Sequence, residues 1–108
     1  MKIKDMELDR LVCMLDKENI PYEFNHTISK KLPMLNMYRI AYPSIEGIVC
    51  SAIQGNGSYG NEENLIEIKG LLTDEEMEID TVLGYLTAED VFSRIKTHWE
   101  MVKNGFTK

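Results

Sequence analysis

The stretch from Gln54 to Thr73 constrains the fold more than any other. A strand-like apolar run enters it, glycines at 55, 57 and 60 turn the chain, and a short helix candidate leaves it. Gly55, Gly57 and Gly60 satisfy G-x-G-x-x-G between a strand and a helix, the context of a dinucleotide fingerprint. Three features argue against that reading. The fingerprint opens a βαβ unit in a doubly wound sheet, whereas consecutive strands precede this loop and no second parallel strand follows it. Glu62 and Glu63 occupy the helix start, where free N–H groups attract phosphate, and would repel it. Asp80 has the spacing of a ribose-binding acid but lies in an acidic run. The plainer reading is a strand-to-helix connection, with glycines supplying positive φ and Asn56 tolerating the left-handed region. For Tyr59, between two loop glycines, a ring folded back over the core is preferred to a ring standing out as a contact.

A chain of 108 residues makes one domain, 1–108, and buries enough surface for a core without staples. Apolar content of 44% and charged content of 28% are those of an ordinary globule. No apolar run spans a bilayer, and Met1–Glu7 has no secretory h-region, so a cytoplasmic protein with no membrane partner is expected. Cys13 and Cys50 each sit in an apolar run and read as reduced, buried thiols. The net charge of −6 is uneven: residues 62–80 carry −7 and the rest sums to +1. With no basic stripe, direct nucleic-acid binding is not expected.

In chain order, Asp5–Glu18 has Leu8, Leu11, Val12 and Leu15 at helical spacing, with Asp5 as N-cap and Asn19 and Pro21 as the stop. Pro21–Asn25 alternates as a short strand, and 26–33 reads as a loop. Met34–Tyr42 is a strand closed by Pro43-Ser44, and Glu46–Gln54 is the next. Downstream, Gly70-Leu-Leu-Thr-Asp-Glu-Glu76 and Gly84-Tyr-Leu-Thr-Ala-Glu-Asp90 repeat one punctuation: a glycine ends an element and a threonine caps the next helix. Helices are therefore predicted at 61–69, 73–80 and 87–103, the last with an apolar stripe of Val91, Phe92, Ile95, Trp99 and Val102. Asn104-Gly105 ends it, and 106–108 reads as a frayed tail.

Catalytic patterns are sparse. His26 and His98 lack metal-ligand spacing, and no G-x-S-x-G or H-E-x-x-H is present. The carboxylates at 74–80 form one helical run, which is ordinarily a solvated face and not a catalytic pair. No enzyme activity, cofactor or metal is expected.

From Gly57 to Ile95 the ordered pieces Gly57-Ser-Tyr-Gly60, Glu63, Leu65-Ile-Glu-Ile68, Gly70-Leu-Leu-Thr73, Glu75-Glu76, Val82-Leu-Gly-Tyr-Leu-Thr-Ala-Glu89 and Val91-Phe92 resemble a family of small uncharacterised proteins of phages, prophages and mobile elements of Gram-positive bacteria. The resemblance implies a bacterial host cytoplasm and a role in host takeover or element maintenance. It carries no catalytic residue.

The expected fold is α+β: a three-stranded antiparallel sheet with the N- and C-terminal helices packed on one face, in the order α-β-β-β-α-α-α. The preferred function is a non-enzymatic accessory protein binding a host protein through Gly57, Ser58, Tyr59, Gly60, Glu62, Glu63, Glu78 and Asp80. The alternatives are an acidic nucleic-acid mimic that inhibits a host nuclease or defence complex, anti-CRISPR-like, and a small-ligand or nucleotide binder using the glycine-rich loop.

Overall fold

A computed structural model describes residues 6–28, 36–55 and 57–105. The elements run α1 (Glu7–Lys17), β1 (Glu23–Ile28), β2 (Asn36–Tyr42), β3 (Cys50–Gly55), a 3-10 turn (Asn61–Glu63), β4 (Ile66–Lys69), α2 (Asp74–Ile79), β5 (Val82–Leu86) and α3 (Ala88–Lys103). The strands form one antiparallel sheet in sequence order, β1-β2-β3-β4-β5. The α+β class holds, but the sheet has five strands where three were expected.

Of the two additional strands, β4 falls in the segment predicted as the 61–69 helix, and β5 lies between the helices predicted at 73–80 and 87–103. Residues 61–69 are not one helix. A 3-10 turn ends at Asn64, whose φ of 58° turns the chain into β4. In β4, Ile66 and Ile68 are buried, Glu67 is half-buried and Lys69 is exposed, the period-2 alternation of a strand. Val82–Leu86 is β5, so Gly84 lies inside a strand and does not cap a helix. Tyr85 has φ 62° beside a register shift between Ile66 and Ile68, as a β-bulge produces. The third strand is shorter than expected: 46–48 is an exposed turn after the cis Tyr42–Pro43 bond. His26, placed in a loop from sequence, belongs to β1 opposite Tyr38. The expected loop over 29–33 and the tail at 106–108 lie outside the described residues.

Both long helices pack on the same face of the sheet, as expected. Leu8, Leu11 and Leu15 of α1 and Ala88, Val91 and Ile95 of α3 meet Ile40, Tyr42, Ala52, Ile66 and Ile68 in one buried cluster. Cys50 joins that cluster, whereas Cys13 lies on the outer side of α1 and is exposed, correcting its expected burial. The threonine caps are present. Thr73 and Thr87 each accept from the N3 amide, and the N3 carboxylates of Glu76 and Asp90 return the bond.

The start of α1 is organised differently. Its N-cap is Met6, which makes no side-chain cap, and the expected N-cap Asp5 lies outside the described residues. The orphan amides are satisfied from a distance. Leu8 N donates to Oε1 of buried Gln54 at 2.9 Å, and Glu7 N donates to Asn64 Oδ1 at 3.1 Å. Gln54 Nε2 donates to the same Asn64 oxygen at 2.6 Å. The Glu7 carboxylate then accepts from Ala88 N at 2.6 Å, at the positive end of α3, and from Arg10 at 2.8 Å. Arg10 also pairs with Glu89. Replacing Gln54 by Leu keeps a buried side chain but leaves the Leu8 amide without its acceptor. The expected cost is about 1–3 kcal/mol in urea unfolding; an unchanged midpoint and slope would show that the cap is not made.

Candidate functional site

Among the predicted binding residues, Gly57, Ser58, Tyr59, Gly60, Glu62 and Glu63 come together. With Asn61 and Tyr85 they line an open hollow of about 370 Å³ at one end of the β4–β5 pair. Its floor is a closed turn. Ser58 is buried; its Oγ donates to Gly55 O at 2.8 Å and accepts from Gly55 N at 3.0 Å. Ser58 N donates to Gly55 O, Asn61 N to Ser58 O, and Glu63 N to Gly60 O, at 3.0, 3.2 and 3.0 Å. Tyr59 N donates to Glu67 Oε1 at 2.8 Å. These amides already have acceptors, so they do not form a cradle of free N–H groups for phosphate. Glu62 and Glu63 stand exposed beside them.

The loop is pressed against β5. A Cβ on Gly84 would lie 2.3 Å from Tyr59 Cβ, and one on Gly60, where φ is 95°, would lie 3.0 Å from the Tyr85 backbone. Tyr85 N donates to Tyr59 O at 3.4 Å. Glycine at both positions permits the approach. Tyr59 does not fold back over the core: it is 54% exposed, and Tyr85 is 58% exposed. Tyr85 was missed from sequence because Gly84-Tyr85 read as the end of a helix. Its aromatic character within Val-Leu-Gly-Tyr-Leu was the available strand signal.

Glu78 and Asp80 lie elsewhere. The register pairs Ile66 with Leu86 near the loop and Lys69 with Val82 near α2, so β4 separates the two groups by about 10 Å at ~3.3 Å per residue. Both are exposed, and Asp80 Oδ1 accepts from Thr81 N at 2.6 Å. The acidic run is also less uniform than its sequence. Arg94 of α3 holds Glu76 through two parallel bonds of 2.8 and 2.7 Å and donates to Leu71 O at 2.8 Å. Arg94, with help from the Thr73 amide, pulls the Glu76 carboxyl down to about 2.

The other titratable groups have structural surroundings. Burial pushes the Cys50 thiol up to about 12 and holds it protonated. Tyr42 Oη and His98 Nδ1 are 2.8 Å apart, joining the sheet to α3, and burial raises Tyr42 to about 12. Among the described residues, no group of three or more His, Cys, Asp or Glu could hold a metal ion, and no helix is long and apolar enough to cross a membrane. Comparison with protein-family models, curated proteins and solved structures finds no match.

The Glu76–Arg94 pair makes acid stability testable. A carboxyl whose folded pKa is depressed adds stability above its unfolded pKa of about 4.3, and that stability is lost as pH falls toward about 2. Glu76→Gln should lower stability at pH 7 and flatten the pH dependence between those limits. Parallel curves for variant and parent in a pH series of thermal melts would contradict the pairing.

Proposed function

We propose that this chain is a small non-enzymatic accessory protein that binds a host protein through the end bearing Tyr59 and Tyr85, in the bacterial cytoplasm of a mobile element's host. One observation carries the reading: two exposed tyrosines line one hollow on backbone that hydrogen bonds and glycine contacts hold in place. Tyrosine supplies large contact area with a polar tip and is enriched at interface centres. A pre-ordered loop loses little freedom on binding, which removes part of the usual cost of association. Glu62 and Glu63 at the rim favour a partner with a basic surface, and Glu78 and Asp80 on the far side of β4 add to the same field.

The two alternatives have less behind them. A nucleic-acid mimic needs carboxylates spaced like phosphates along one surface. Here the acids divide between two ends of β4, while Glu67 bonds the loop and Glu76 bonds Arg94. A nucleotide binder at the loop needs free amides, and those at 58, 59, 61 and 63 are taken.

The test is affinity capture from a Gram-positive host lysate with parent, Tyr59→Ala and Tyr85→Ala baits. Alanine keeps the Cβ, so the left-handed backbone at 85 gains no new strain, and exposed sites usually shift stability by no more than ~0.5 kcal/mol. Each variant should melt like the parent and lose the captured partner. Capture of the same protein by Tyr59→Ala and by Tyr85→Ala as well as by the parent would sink the proposal.

A further inference from the structure

On the sheet face away from α1 and α3, β2, β3 and β4 place Arg39, Ser51 and Lys69 around an open groove of about 640 Å³. Ile48 and Met77, both exposed, and Leu71 supply apolar lining. Arg39 lies opposite Ile53, while Lys69 lies opposite Ser51, two residues along the same strand. With strands ~4.8 Å apart and ~3.3 Å per residue, the two Cα atoms sit about 12 Å apart across β3. Long side chains from both sides can converge above the Ser51 hydroxyl.

The charge balance of this face is unusual for a chain of net charge −6. Among the described residues, Arg10, Arg94 and Lys96 have carboxylate partners, and Lys17 and Lys103 sit in the last turns of helices. Arg39 and Lys69 have neither. The strand carboxylates of this face, Glu23 and Glu67, keep their charge but are held by backbone amides and make no ion pair with either cation, and Asp80, beside the lining Thr81, is held the same way. Glu23 accepts from Ile45 N at 2.6 Å, and Glu67 accepts from Tyr59 N at 2.8 Å.

We infer that this groove binds a small amphipathic anion, its carboxylate or phosphate head between Arg39, Lys69 and Ser51 and its apolar body against Ile48, Leu71 and Met77. The volume lies within the range of small-molecule sites, about 300–1,000 Å³, and the lining is the usual apolar wall with a few placed polar groups. Arg39 offers the planar fork that matches carboxylate and phosphate, and Lys69 adds a second positive charge. The site is independent of the Tyr59–Tyr85 end.

The test uses the full chain and the fluorescent anion 8-anilinonaphthalene-1-sulfonate, displaced by octanoate, octyl phosphate or uncharged octanol. The parent should bind the dye and release it to the two anions but not to octanol. The more effective anion identifies the head group. Arg39→Gln with Lys69→Gln should keep the circular dichroism spectrum and weaken dye binding ~10-fold or more, as loss of charge-assisted bonds does. Tyr59→Ala should bind the dye like the parent. The inference is overturned by any of four results: no dye binding by the parent, equal binding by the double variant, equal displacement by octanol, or displacement by hexaglutamate as effective as that by octanoate, which would assign the groove to acidic peptide. Sedimentation showing a dimer that the double variant loses would also overturn it, making the groove a contact between copies.

Discussion

The buried amide of Gln54 holds together parts of the chain that are far apart in sequence. A helix start leaves several N–H groups without partners, and Met6 caps none of them. Gln54, at the end of β3, and Asn64, at the end of the 3-10 turn, supply the acceptors, and Gln54 also donates to Asn64. The Glu7 carboxylate passes the linkage on to the first amide of α3. One polar cluster therefore fixes where α1 begins, where the glycine-rich loop ends and where α3 starts. Among the described residues no buried side-chain nitrogen or oxygen lacks a partner, which is the condition for such a cluster to stabilise rather than destabilise.

This duty limits what the loop does. Its residues spend their amides on one another and on Glu67; Gly55 is needed for close contact with β2, Gly60 for contact with β5, and Gly57 and Gly60 for left-handed backbone. What remains for an outside partner is side-chain surface: two tyrosines and two glutamates. The open sheet face carries Arg39 and Lys69, which among the described residues have no carboxylate partner.

Much of this was legible in the chain. The periodicity of Leu8, Leu11 and Leu15 located α1, and the two threonine boxes located α2 and α3, because those signals are local. The strands before the loop were found with shifted ends. β4 and β5 were missed because Glu62-Glu63 after glycines imitates a helix start, and Gly70 and Gly84 imitate helix ends. The alternation of Ile66, Glu67, Ile68 and Lys69 is the strand signal within that stretch. The candidate loop was recognised, but its partner Tyr85 depended on finding β5. The Gln54–Asn64 cap, the Glu76–Arg94 pair and the solvent position of Tyr59 depend on distant contacts that no local pattern encodes.

The glycine-rich loop is a closed, load-sharing connection and not an open cradle of free amides. Amide hydrogen exchange measured by NMR on the free protein tests it most directly. The amides of Ser58, Tyr59, Asn61 and Glu63 should be protected and should open together with Leu8, near the free energy at which β3 opens. Loop amides that exchange at free-chain rates while β3 and Leu8 stay protected would contradict it.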